Sequence, residues 1–176
     1  DRLHDRDGQP EKELAEILQQ AKREGGNVII PAFAVGRVEE VIYWLKKPEE
    51  ARRIPVLPVF VDSPMALAAL EIYRAAVRNG NPDVRTDLDR THDLFDPGDL
   101  REARSVEESK RLNDPQHPCI IVSASGMATG GRVVHHLAAL LPDPRNSVVL
   151  AGYQAVGTRG RDLLEGARQL KMHGRY

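Results

Sequence analysis

The chain has 176 residues, 41% of them hydrophobic, which is enough apolar content for one ordinary globular domain with a core of its own. A formal net charge of -1 excludes a globally basic nucleic-acid binder, so any contact with nucleic acid has to come from a local arginine rim. One cysteine excludes a disulfide framework, and with no apolar run of membrane-spanning length and no signal peptide at the start, a soluble cytoplasmic protein without a membrane partner is expected.

Leu14, Ile17, Leu18 and Ala21 recur at helical spacing and predict an opening helix. The apolar run 27–31 then predicts a strand, followed by Ala32-Phe33-Ala34-Val35-Gly36-Arg37 and a helix carrying Val38, Val41, Ile42 and Leu45. A second strand over 56–62 leads through Ser63, a suitable N-cap, and Pro64, a first-turn proline, into a helix from Met65 to Val77. The next stretch, 79–117, is charged and punctuated by Asn-Gly, Asp-Pro-Gly and Asn-Asp-Pro turns. It has no apolar run of its own and reads as a surface excursion with a short helix from Ser105 to Leu112. A strand over 118–123 follows, then a loop and a helix from Val133 to Leu141. The last strand, over 147–151, leads through Gly152 to Thr158 into a helix carrying Leu163, Leu164 and Ala167.

Strands alternating with helices, and apolar along their whole length, predict a three-layer α/β domain with a mainly parallel sheet flanked by helices, Rossmann-like in plan. Such a sheet points every strand's C-terminal end to one edge, so the four loops gather there. The strand–loop–helix stretch Ser123 to Arg132 would offer free backbone N–H groups at a helix N-terminus, with hydroxyls and an arginine beside them. That is an anion site, suited to phosphate. Ser123, Ser125, Gly126, Gly130 and Gly131 are the candidate hydroxyl and backbone ligands. Arg37 and Arg132 would supply charge, Ser63, Tyr153 and Thr158 lie on the same rim, and Tyr153 could pack on a base or sugar. Neither a Walker ending nor a G-x-G-x-x-G fingerprint is present, so the phosphate need not belong to ATP or NAD. A bland reading stands beside this one, in which the glycines serve only a tight turn and Arg37 pairs with a carboxylate such as Asp62.

Metal and nucleophile chemistry find little support. His4, His92, His117, His135, His136 and His173 include no His-x-His or His-x-x-x-His pair, and His135 and His136 point about 100° apart on a helix, one toward the sheet or rim and one toward solvent. There is no Gly-x-Ser-x-Gly elbow, and Cys119, inside a predicted strand, reads as a small core residue. No catalytic or metal-binding residue is assigned in this chain.

Four segments taken together resemble something specific. Pro31-Ala32-Phe33-Ala34-Val35-Gly36-Arg37, Val61-Asp62-Ser63-Pro64-Met65-Ala66, Ser123-Ala124-Ser125-Gly126-Met127 with Gly130-Gly131-Arg132, and Gly152-Tyr153-Gln154-Ala155 with Gly157-Thr158-Arg159-Gly160 look like the β-CASP domain of RNA-processing metallo-β-lactamase-fold nucleases. The match is to bacterial and archaeal relatives of the 73-kDa subunit of the cleavage and polyadenylation specificity factor. It runs in the family's order from about Pro31 to Gly160.

The resemblance implies that residues 1–176 are a single β-CASP domain, excised from a two-domain parent in which it is an insert in the metallo-β-lactamase domain. Asp1-Arg2-Leu3-His4 and Lys171-Met172-His173-Gly174-Arg175-Tyr176 resemble the two junctions. The family's zinc ligands match no position here, so zinc is expected in the lactamase part, none in this chain, and the fragment alone is expected to be inactive. The implied parent is a zinc-dependent RNA phosphodiester hydrolase. This domain would cover one side of its cleft and clamp single-stranded RNA, with the lactamase domain of the same chain as partner and room for a homodimer. Two other classes stay open on the residues alone: a nucleotide- or dinucleotide-binding α/β domain, and a protein-interaction module. The former predicts an acidic ribose ligand where Arg37 stands.

Overall fold

The computed structural model describes residues 10–85, 87–88 and 92–176. The helix Pro10–Glu24 (α1) has Glu11 and Glu13 in its first turn and Lys22 and Arg23 in its last, matching the helix dipole, and buries Leu18 and Ala21. Val28–Pro31 (β1), wholly buried, leads into Arg37–Glu50 (α2). Val59–Asp62 (β2) leads into Pro64–Arg78 (α3), whose N-cap Ser63 accepts a hydrogen bond from the Ala66 amide. Leu100–Glu102 (β3) precedes Val106–Arg111 (α4), which starts with a reciprocal capping box between Ser105 and Glu108. Ile120–Ser123 (β4), again wholly buried, leads into Arg132–Leu140 (α5), and Ser147–Val148 (β5) is followed by Arg159–Leu164 (α6).

The five strands form one sheet in the order β3-β2-β4-β1-β5, and every pairing is parallel. Strand alternation divides the core in two. Val28, Ile30, Val59, Val61, Ile120 and Val122 pack with α1, α2 and α3 on one face, while Ile29 and Ile121 pack with α5 on the other. The three-layer α/β reading therefore holds, with the sheet parallel throughout.

Boundaries differ from the sequence reading for physical reasons. β2 begins at Val59 because Pro58 has no N–H to give a ladder, although its carbonyl accepts from Ile120 N at 2.8 Å. Cys119 lies just before β4, buried against the Asn27 side chain. β5 is a half-exposed edge of two residues, with Val149 N still donating to Ile29 O at 2.9 Å. The stretch 79–117 contributes more than a surface connection: it supplies edge strand β3 and buries Leu94, Phe95, Ala103 and Leu112. Its helix is where the sequence placed it. The segment 1–4, with His4, lies outside the described residues.

Candidate nucleic-acid interface

Register sets the height of the site. Pro31, Ser123 and Asp62 end β1, β4 and β2 side by side, so the loops that follow leave the sheet at one level. The helices after β1 and β2 pack on one face and the helix after β4 packs on the other. The β4 loop thus departs between two neighbours that turn the opposite way, which is the switch-point arrangement where parallel sheets open a crevice.

The β4 loop is tightly braced. The Ser125 hydroxyl accepts from Thr129 N at 3.2 Å, lies 3.1 Å from the Thr129 hydroxyl and 3.3 Å from Gly130 O. Gly126 is pressed on the β1 loop, where a Cβ would stand 2.9 Å from Phe33 N. Gly131, the N-cap of α5, has φ +78° and would put a Cβ 2.6 Å from Ala124 O, so both its backbone angle and its surroundings call for glycine. Gly130 meets nothing within 4 Å and faces open space.

Gln154, 2% exposed, ties the β5 loop to this one by donating from Nε2 to Gly126 O at 3.1 Å and to Gly152 O at 2.9 Å. Its Oε1 lies against Gly160, where an added Cβ would be only 1.7 Å away. Arg159 adds a second tie, donating from Nη1 to Ala128 O and Thr129 O, each at 3.2 Å. Arg37 reaches the same place from α2: its Nε is 3.9 Å from where Gly152 would carry a Cβ, and its Nη1 pairs with Glu40 at 2.7 Å on the surface.

The strongest electrostatic feature lies just beneath the rim. Asp62, fully buried, accepts from Arg132 Nη1 on Oδ1 at 2.6 Å and from the Ser109 hydroxyl on Oδ2 at 2.6 Å. His136, also fully buried, sets Nε2 2.6 Å from the same Oδ2 and Nδ1 2.8 Å from Asn113 Oδ1. A carboxylate only accepts, so Nε2 carries the hydrogen. Burial pushes the Asp62 carboxyl up, but the bonds from His136, Ser109 and Arg132 outweigh it and leave the group below its ordinary value. Arg132 also donates to Ala103 O at 3.0 Å and Arg104 O at 3.5 Å, linking the end of β3 to the glycine loop.

The candidate residues therefore separate into two levels. Ser125, Gly130, Gly131 and Tyr153 lie at or near the surface, Tyr153 at 66% exposure. Ser63 and Ser123 lie below it, the first spent on its cap and the second donating to Asp62 O at 2.8 Å. The Thr158 hydroxyl caps α6 and donates to Ala155 O, and Gly126 is buried as a packing surface. Asp62 pairs with Arg132, and Arg37 with Glu40 instead. Of the adjacent histidines, His136 turns inward to Asp62 and His135 is exposed, stacked on His173 at 4.4 Å. Sequence reasoning did not find Asp62 as a hub, Ser109 and Asn113 as its supports, or Gln154 as the tie between the β4 and β5 loops. The available signal was a charged residue closing an otherwise apolar strand.

A family model described as the Beta-Casp domain matches residues 38–163. The chain belongs to the β-CASP family. It is 38% identical over 87% of its length to Ribonuclease TTHA0252 of Thermus thermophilus, of which it covers 35%. It is 35% identical over 92% of its length to an RNase J-like protein of Methanocaldococcus jannaschii, covering 36%. To the transcription termination factor FttA of Methanosarcina mazei it is 36% identical over 94% of its length, covering 26%. The β-CASP chain thus spans about a third or less of these relatives. Among the described residues no group of three or more His, Cys, Asp or Glu side chains is placed to hold a metal.

Proposed function

We propose that this β-CASP domain forms one wall of the active-site cleft of an RNA-processing ribonuclease, where it holds single-stranded RNA by its phosphates. The observation that carries the reading is the convergence of the β1, β4 and β5 loops on one edge, with the Ser125 to Gly131 loop braced from below and Arg37 and Arg132 on its two flanks. Ser125, Gly130 and Gly131 would offer amide or hydroxyl contacts above the buried Gly126, Arg37 and Arg132 charge, and Tyr153 a surface for a base or sugar. Ser63, Ser123 and Thr158 would act by shaping the loops. Ribonuclease and RNase J-like relatives support RNA as the substrate class. Cleavage would be supplied by zinc in a metallo-β-lactamase domain of the same protein, and a homodimer of the whole protein is compatible with this role.

The test is kinetic, in the full-length protein. Contacts to phosphates distant from the scissile bond stabilise ground and transition states alike, so Arg37→Ala should raise KM for RNA more than it lowers kcat. The chain alone, neutralising two or three phosphates, should bind single strands with a dissociation constant of roughly 10⁻⁴ M or weaker at physiological salt. A collapse of kcat at constant KM, or calorimetric binding of NAD or ATP by the chain in place of RNA, would overturn the proposal.

A further inference from the structure

A guanidinium has five N–H donors arranged as two forks, one at the end and one along the Nε side. In Arg132 both Nη1 hydrogens have acceptors, Asp62 Oδ1 at 2.6 Å and Ala103 O at 3.0 Å, and one Nη2 hydrogen is directed to Arg104 O at 3.5 Å. Nη1 is thus fully engaged and Nη2 is engaged once. Nε has no acceptor among the described residues, and it is not among their buried unpartnered atoms. The side chain as a whole remains 22% exposed. The side of the group made by Nε and Nη2 therefore keeps Nε–H and one Nη2 hydrogen without an acceptor among the described residues, while Nη1 is fixed by a carboxylate at 0% exposure.

That carboxylate is fixed in turn. Oδ2 of Asp62 is shared by Ser109 and His136, His136 is held from its other side by Asn113, and Ser123 donates to the Asp62 carbonyl. Ser109 and Asn113 belong to the stretch between β3 and β4, so this stretch and the sheet together determine where Arg132 points. We infer that Arg132 presents its open side fork to one phosphodiester of the bound strand, and that Asp62 and His136 are positioning residues that aim it. The inference rests on the RNA-binding reading above and adds the mode of contact and the residues that set it. A fork matches the two non-bridging oxygens of a phosphodiester; a point charge does not.

Charge and positioning predict opposite signs for one substitution. Asp62→Asn removes a negative charge near the rim, which by charge alone strengthens RNA binding; if Asp62 aims Arg132, the variant binds more weakly. The experiment is equilibrium binding of a fluorescent single-stranded RNA oligonucleotide to the full-length protein in chelator, over a range of salt. Expected are a loss of about 5- to 10-fold for Asp62→Asn and a similar loss for Arg132→Lys, which keeps the charge and drops the fork. Arg132→Gln should in addition flatten the dependence of log K on log salt by about 0.7, the increment for one phosphate of a single strand. Asp62→Asn combined with Arg132→Lys should be no worse than either alone, because one contact is lost in each case. His136→Gln, which leaves the carboxylate and the arginine in place, gives the same test if Asp62→Asn does not fold; a few-fold loss is expected. Folded Asp62→Asn or His136→Gln protein that binds RNA as tightly as the parent, or an Arg132→Lys variant with undiminished affinity, overturns the inference. Failure of the parent itself to bind single strands would instead overturn the RNA-binding reading, before any variant is compared.

Discussion

Nε2 of His136 lies 2.6 Å from Oδ2 of Asp62, and neither side chain is exposed to solvent. A buried carboxylate in this position is held by three side-chain donors, those of Arg132, Ser109 and His136. Removing the acceptor strands those donors, and removing a donor leaves part of a buried charge unmet.

Asp62→Ala should accordingly cost about 3–5 kcal/mol, read as a lower urea midpoint at unchanged slope. The pH dependence has a definite sign. Asp62 titrates below its ordinary 3.8 in the folded protein, so its contribution is complete above that value and is lost as pH falls through the lower folded value. The parent should lose stability steeply below about pH 4, and Asp62→Asn should lose less there.

Glu49 behaves in the opposite sense. It is 8% exposed, neither carboxyl oxygen makes a well-formed hydrogen bond among the described residues, and burial together with Asp96 and Asp99 outweighs the lowering effect of the Leu57 backbone and pushes it up to about 8. The unfolded chain ionises this group near 4.5 and the folded one near 8, so stability falls as pH rises between those values. Glu49→Gln should flatten the urea midpoint over that window and raise stability at pH 7–8 by roughly 1–3 kcal/mol, less than the full linkage because a buried amide is unmet too. An unchanged slope with pH in the variant would place the titration elsewhere.

Two glycines of the rim should respond in contrary ways. Gly160→Ala drives a methyl into Gln154 Oε1 and close to Met127 O, dislodging the side chain that joins the β5 and β4 loops. A loss of about 1–3 kcal/mol is expected, with amide shifts spreading to Gly126 and Gly152. Gly130→Ala meets open space and should change stability by no more than about 0.5 kcal/mol. Thermal melts and amide spectra of the two variants side by side check both halves.

What could be read in the chain follows from how each element earns its burial. β1 and β4 are apolar on consecutive residues because both faces of the sheet are covered, and that pattern is visible without a structure. β3, Leu100-Arg101-Glu102, could not be seen that way. It is three residues long, stands on an edge, and is held by pairing to β2 and by ion pairs of Arg101 with Asp99 and of Glu102 with Arg74 and Arg104. The convergence of the loops was legible once the sheet was taken as parallel, since strand direction alone decides it. The division of the rim into surface donors and buried braces was not, because Ser63, Ser123 and Ser125 look alike as letters. The meeting of Asp62 with His136 across 74 positions depends on which face α5 turns to β2. The Arg37–Asp62 pair considered from sequence failed on the same ground: α2 and α5 lie on opposite sides of the sheet, and it is α5 that delivers an arginine to the end of β2.

The bracing of the Ser125 to Gly131 loop bears on the speed of an encounter as well as on its strength. A loop already pinned through Thr129, Gln154, Arg159 and the back of Phe33 has little conformational freedom left to surrender when a strand arrives. Under the RNA-binding role proposed above, association would be governed by diffusion and by the field of a few arginines, with no closing step to wait for, and the two or three weak phosphate contacts would let the strand leave as readily as it came. In that role the surface would suit a polymer that must be gripped, shifted and gripped again.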